Sequence, residues 1–70
     1  MNLFAERLRE VLRQNEISQA ELARRIKMSQ GVVNNYCTGK REPTIDGIIL
    51  ICTALNESAD YMIGLTDNPN

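Results

Sequence analysis

The chain has 70 residues, of which 43% are hydrophobic and 24% charged, and its formal net charge is −1 at pH 7. A chain of this length forms one small domain, and its few glycines and prolines favour packed helices over disorder. Its longest apolar run, residues 47–52, is far too short to span a bilayer, and charged residues interrupt the N-terminus too early for a signal peptide. We therefore expect a cytoplasmic protein without a membrane partner.

Metal-binding and catalytic motifs are absent from the sequence. It contains no histidine, and its two cysteines, Cys37 and Cys52, do not form a CxxC pair, so we predict no metal site. We expect both thiols to be reduced, with Cys52 in the core and Cys37 partly exposed. No nucleophile–base pair or glycine-rich phosphate loop is found, so the sequence predicts neither an enzyme nor a bound cofactor or small molecule.

Hydrophobic periodicity and helix-capping residues predict five helices and no strand. The predicted helices cover residues 2–14, 19–26, 30–37, 45–55 and 59–64. Each helix after the first follows a residue whose hydroxyl can cap it: Ser18, Ser29, Thr44 and Ser58. Glu21 can complete a capping box with Ser18. The sequence thus predicts an all-α domain over residues 1–65, followed by a frayed tail over residues 66–70.

Residues 18–41 contain the most informative pattern, which is two short helices joined by a tight turn. Two such helices can pack closely at a steep angle, and the start of the second then protrudes. The protruding edge carries uncharged residues: Ser29, Gln30, Gly31, Asn34 and Asn35. A carboxamide offers a donor beside an acceptor, and this pair matches N6 and N7 of adenine in the DNA major groove. A solvated surface helix is the alternative interpretation of these residues.

Charge is distributed unevenly along the chain. All eight basic residues and four of the nine acids fall within residues 1–41, which therefore carry a charge of +4. Residues 42–70 hold the other five acids and no base, which makes a charge of −5. Because screening limits electrostatic attraction to roughly 8–10 Å, local charge matters more than total charge for attraction to phosphate. The basic segment, which contains both short helices, is therefore the predicted face for double-stranded DNA.

In order and spacing, these motifs resemble the helix-turn-helix domain of the phage repressor and Cro family, also called the XRE family. The resemblance extends over about residues 3–65 and rests on Leu8, Val11-Leu12, Ile17-Ser18-Gln19, Glu21-Leu22-Ala23, Ile26, Met28-Ser29, Val33, Tyr36, Gly39-Lys40-Arg41, Pro43-Thr44, Ile48, Ala54-Leu55 and Ala59-Asp60-Tyr61. It implies a five-helix, phage-repressor-like fold with the helix-turn-helix at helices 2 and 3. It also implies a sequence-specific DNA-binding transcriptional regulator, a repressor, that places helix 3 in the major groove. The alternative is a protein-interaction module with the same fold, such as an antitoxin or anti-repressor.

Candidate DNA contacts follow from charge, helix position and the resemblance. The predicted base-reading residues are Gln30, Gly31, Asn34 and Asn35. The predicted phosphate contacts are Gln19, Ser29, Thr38, Lys40 and Arg41. Thr38 can instead bond to a backbone carbonyl, and we expect Arg9 and Arg13 to pair with nearby glutamates.

Lys27 departs from the family pattern, because many members have glycine at this first position of the turn. If the backbone is left-handed there, a side chain costs roughly 1–2 kcal/mol. A folded domain can tolerate one steric cost of that size, so Lys27 does not contradict the resemblance to the XRE family.

Helix 4 carries more apolar surface than one buried face requires. The residues expected to be buried are Ile45, Ile48, Ile51, Cys52 and Leu55. Ile49 and Leu50, together with Tyr61 in the next helix, then form a candidate homodimer contact, although single exposed apolar residues need no explanation. A two-fold dimer would present helix 3 to successive major grooves about 34 Å apart. Because the available area is small, we expect the dimer to be weak in the absence of DNA.

Overall fold

The computed structural model describes residues 3–68, and within that range it contains five helices and no strand. The helices are α1 (Leu3–Gln14), α2 (Gln19–Ile26), α3 (Gln30–Thr38), α4 (Ile45–Leu55) and α5 (Ala59–Ile63). The predicted all-α fold is confirmed. The observed ends of α3 and α5 differ from the predicted ends by one residue, and residue 2, the predicted start of the first helix, lies outside the described residues.

Helices α2 to α5 each begin at a hydroxyl that accepts a hydrogen bond from the backbone N–H three residues later. These capping bonds are Glu21 to Ser18 (3.0 Å), Val32 to Ser29 (3.2 Å), Gly47 to Thr44 (3.1 Å) and Tyr61 to Ser58 (3.3 Å). All four predicted caps are therefore confirmed, and each satisfies a backbone donor that the helix leaves unpaired. The capping box is half formed, because the Glu21 carboxylate accepts from Arg24 and Arg25 instead.

The core takes at least one fully buried side chain from every helix: Leu8, Leu22, Val33, Ile51 and Met62. Burial of each such side chain contributes about 1.5–3 kcal/mol. Helix α1 packs against α3 and α5, while α2 packs against α3 and α4. The core therefore holds α2 and α3 against the rest of the domain. No helix within residues 3–68 combines the length and the apolar character that a membrane crossing requires.

Two expectations about burial are wrong. Cys37 is buried rather than partly exposed, because it lies on the side of α3 that faces the core with Val33 and Tyr36. Burial raises the pKa of the Cys37 thiol, with a smaller opposing effect from the charge of Arg9, so the thiol is protonated at neutral pH. Ile45 is 78% exposed instead of buried, since it begins α4 on a side that no other helix covers.

Arg7 of α1 fastens the end of α5 and the segment after it. The side chain of Arg7 is only 14% exposed. Its guanidinium donates to the backbone oxygens of Tyr61 and Thr66 and to Asp67 Oδ1. It also lies 4.3 Å from the centre of the Tyr61 ring, within the range of a cation–π contact. The first residues of the predicted tail are thus tied to α1. Residues 69 and 70 lie outside the described residues, and the domain boundary at residue 65 stays a prediction.

The turn between α2 and α3 is left-handed at Lys27, where φ is 59°. Its N–H donates to the Arg24 oxygen, and the Met28 N–H donates to the Ala23 oxygen. This pair of bonds is the usual helix ending that glycine favours. The side chain of Lys27 therefore carries the steric cost that the sequence suggested.

Replacement of Lys27 by glycine is expected to raise the free energy of unfolding by about 1 kcal/mol, because relief of the strain exceeds the entropy that glycine adds to the unfolded chain. Urea denaturation measures the change. Lys27→Ala is the matched control, since it removes the same charge and keeps the Cβ atom. Equal stabilities of the two variants would show that the left-handed backbone is not strained.

Candidate nucleic-acid interface

Helices α2 and α3 have the most extensive contact of any two helices within residues 3–68. Leu22, Ala23 and Ile26 bury one side of α2, and Val33, Tyr36 and Cys37 bury one side of α3. The opposite side of α3 faces outward. Because the helix turns by about 100° per residue, this outward side carries two rows of residues.

The first outward row consists of Gln30 and Asn34, four residues apart, and the second of Gly31, Asn35 and Thr38. Asn35 is half-buried, and the other four residues are exposed. The structure thus brings all four predicted base-reading residues together on one face. It leaves Gln30 and Asn34 as neighbouring carboxamides at the N-terminal half of α3.

A hydrogen bond between side chains joins the two helices at this face. Asn34 Nδ2 donates to Gln19 Oε1 over 3.1 Å, from α3 to the first residue of α2. A carboxamide nitrogen carries two hydrogens, so Asn34 keeps one donor and its oxygen for another partner. Gln19 keeps both of its Nε2 donors, which suit an acceptor such as a phosphate oxygen. Sequence reasoning missed this bond, because its partners are 15 residues apart and no spacing rule connects them.

The two hydroxyls on the face already have partners within the protein. Ser29 Oγ accepts the Val32 N–H as the N-cap of α3 and retains its own hydrogen for donation. Thr38 Oγ1 donates to the Asn35 backbone oxygen over a long 3.4 Å. Of the two roles that the sequence left open for Thr38, the bond to a backbone carbonyl is the one that the structure contains.

The cations near α3 fall into two groups. Arg24 and Arg25 both bind Glu21, which reduces their charge toward a ligand. By contrast, none of the ion pairs among residues 3–68 involves Lys27, Lys40 or Arg41. All three are exposed, and they flank α3 at its start and end. Residues 27–41 contain these three cations and no acid, so the face of α3 is edged with uncompensated positive charge.

Arg9 holds the far end of α3 instead of pairing with a glutamate. Its guanidinium donates to the backbone oxygen of Cys37, in the last turn of the helix. A cation at this position is also attracted by the negative end of the helix dipole, which stabilises the helix. Arg13 does pair with Glu10, as the sequence suggested. The Arg9 contact joins residues 28 apart, and sequence spacing could not reveal it.

Two closely packed short helices, an outward row of carboxamides and flanking cations are the features of a helix-turn-helix domain. The comparison with known families agrees: the helix-turn-helix family model matches residues 8–62, and the chain belongs to that family. The resemblance to the XRE family and the phage-repressor-like fold are confirmed.

A curated relative extends this comparison. The chain is 25% identical over 68 residues to YobD of Bacillus subtilis (strain 168), which is described as an uncharacterized HTH-type transcriptional regulator. The alignment covers 97% of this chain and 61% of YobD, so the chain spans about three fifths of the length of that relative. No solved structure was found to match the chain.

Proposed function

We propose that the protein is a transcriptional regulator that binds a specific site on double-stranded DNA and represses transcription where that site overlaps a promoter. The observation that carries the proposal is the outward face of α3, where carboxamides lie between Lys27 at one end and Lys40 and Arg41 at the other, and residues 27–41 contain no acid. Carboxamides discriminate between bases, while cations attract the phosphate backbone irrespective of sequence. We expect the protein to act in the cytoplasm, where DNA is accessible to it, and to catalyse no reaction.

In this proposal the bases are read by the two outward rows of α3. Gln30 and Asn34 lie together at the end of the helix that enters the groove, and each can pair with an adenine through its carboxamide. The hydrogen bond that Asn34 donates to Gln19 fixes the orientation of the Asn34 carboxamide before DNA binds. Asn35 and Gly31 form the second row, in which Asn35 reads a base and Gly31 permits a close approach.

The phosphates are bound at the margins of the same face. Gln19 lies at the N-terminus of α2, where the helix dipole and the free Nε2 donors both favour a phosphate. Ser29 offers its hydroxyl hydrogen, and Thr38 can exchange its long internal bond for one to a phosphate oxygen. Lys40 and Arg41 supply charge from the loop after α3.

Loss of Lys40 or Arg41 is expected to weaken binding to all DNA sequences alike. Each Lys40→Ala or Arg41→Ala variant should make the negative slope of log affinity against log salt concentration shallower by about 1, because one fewer counterion is released. Arg13→Ala is the control, since Arg13 is paired with Glu10 on α1, and its slope should stay at the wild-type value. If the slopes of the loop variants equal that of the wild type, these side chains are solvated and touch no phosphate.

We also propose that the protein binds as a homodimer through the exposed apolar side of α4. Ile49 and Leu50 are 55% and 45% exposed, and Ile45 extends the apolar surface by one turn beside Ile49. Tyr61 is half-buried beneath Arg7, so it contributes at the edge of the contact. A two-fold axis at this surface leaves α3 free on both copies and gives a twofold-symmetric DNA site.

The size of the apolar surface indicates a weak dimer. A stable interface covers about 800 Å² per partner, which is roughly a sixth of the 4534 Å² that this domain exposes. A few side chains of α4 and α5 cover less than that. Residues 42–70 contain five acids and no base. In the dimer these acidic segments of the two copies face each other across the axis and repel. We therefore expect dimerisation to be completed on DNA and to strengthen as salt screens the repulsion.

Selection of bound duplexes from a random pool tests the proposal. We expect two inverted half-sites whose centres lie about 34 Å apart, one helical turn of DNA. Enrichment of a single half-site would contradict the proposed homodimer but would support sequence-specific binding. A pool that remains random after repeated rounds would contradict the function itself.

A second candidate is a protein-interaction module, such as an antitoxin or anti-repressor. It is favoured by the exposed apolar residues of α4 in the acidic half of the chain. The two candidates differ in their response to salt, because only contacts with phosphate produce a steep loss of DNA affinity as salt rises.

A further inference from the structure

Gly31 is an unusual residue for its position. It is the second residue of α3, on the outward side of the helix. Glycine weakens a helix relative to alanine, because the unfolded chain has more conformational freedom to lose. Helix stability therefore gives no reason for glycine at this position.

The other glycines within residues 3–68 each meet a structural need that Gly31 does not share. Gly39 and Gly64 have positive φ, at 79° and 93°. A Cβ atom at Gly47 would lie 3.1 Å from Pro43 Cβ, which is tighter than ordinary packing. At Gly31 φ is not positive, and the nearest atom to an added Cβ is Ser29 Oγ at 3.9 Å. The free protein therefore accepts alanine at this position without strain.

Without a side chain at Gly31, the outward face of α3 keeps an open space the size of a methyl group, which we call the recess. Gln30 precedes it along the helix, and Asn35 follows it one turn later in the same row. Apart from the two chain neighbours and the backbone of the helix itself, the described protein brings only Ser29 Oγ within 4 Å of the position of an added Cβ atom. The floor of the recess is the Cα atom of Gly31, so it offers an apolar contact without a polar side chain.

We propose that Gly31 determines specificity by accepting the 5-methyl group of a thymine into this recess. The inference rests on the proposed function, in which α3 lies in the major groove. The thymine methyl is the apolar group that base edges present there, and it distinguishes thymine from the other three bases. A methyl group from the protein or one from the DNA can occupy the recess, but both cannot.

The test combines one protein methyl with one DNA methyl. Each thymine of the selected site is replaced in turn by deoxyuridine, which lacks only the 5-methyl group. At one thymine the wild-type protein should lose about 4-fold in affinity, the value of one buried methyl group. Gly31→Ala should lose about 10-fold on the thymine site, because two methyl groups compete for one space, and should regain most of that loss on the deoxyuridine site. The melting temperature of the free variant should rise by about 3–6 °C, because the helix gains stability.

Thr53→Ala on α4 is the control, since Thr53 is also exposed on a helix but lies outside the DNA face. It should leave both affinities unchanged. Equal binding of Gly31→Ala to thymine and deoxyuridine sites would overturn the inference, as would an equal loss on scrambled DNA or a fall in melting temperature. Failure of the proposed function would look different, because the wild-type protein would then not prefer the selected duplex over a scrambled one.

Discussion

Replacement of Ile49 or Leu50 by glutamate is expected to abolish cooperative binding to a palindromic site while binding to a single half-site stays nearly unchanged. Both side chains are exposed in the monomer, so a carboxylate at either position leaves the fold intact. Across a two-fold axis the substitution occurs twice, and it places additional like charges in a half that already lacks any base. Because the second copy no longer binds cooperatively, the affinity of either variant for the palindrome should fall about 100-fold.

Titration of single and paired half-sites at fixed salt measures this loss. Asn68→Asp is the charge control, because it adds one negative charge to the same half at an exposed polar residue. We expect it to retain cooperativity. If the affinity of Ile49→Glu and Leu50→Glu for the palindrome equals that of the wild type, the proposed dimer surface is wrong.

Replacement of Gln30 by alanine is expected to cost about 1–3 kcal/mol at the preferred site and to remove discrimination at one base pair. The reason is that Gln30 is exposed at the start of α3, and its carboxamide is free to contact a base edge. Asn35→Ala should remove discrimination at a different base pair. Affinities for a panel of single-base variants of the site give the comparison.

Gln14→Ala provides the matched control for the loss of a carboxamide, because Gln14 lies at the end of α1 and donates to Glu10. It should bind every duplex as the wild type does. If Gln30→Ala weakens the preferred and scrambled duplexes equally, Gln30 contacts the DNA backbone and reads no base.

The helices were predictable because their signals are local. A capping hydroxyl such as Ser29 acts on a donor three residues away, so its sequence neighbourhood contains the whole interaction. For the same reason the outward placement of Gln30 and Asn34 followed from helix periodicity. The left-handed backbone at Lys27 was suggested instead by the family resemblance, because many members have glycine at this turn position.

The errors and omissions concern contacts between distant parts of the chain. Periodicity assigned Ile45 to the core, but no other helix covers the first turn of α4. Cys37 was expected to be partly exposed, but a free cysteine behaves as a small apolar residue, and the packing of α3 buries it. The bond between Gln19 and Asn34 depends on how α2 packs against α3, and the anchoring of residues 61–67 by Arg7 depends on where α5 docks. Sequence patterns do not contain those distances.

The claim that α3 reads base edges in the major groove is tested most directly by changing the DNA. In the selected site each purine is replaced in turn by its 7-deaza analogue, which lacks the N7 acceptor and leaves Watson–Crick pairing intact. We expect at least one replacement in each half-site to lower the affinity about 10-fold, because a carboxamide or other donor on α3 loses its partner. Unchanged affinity at every purine would contradict major-groove reading by these residues.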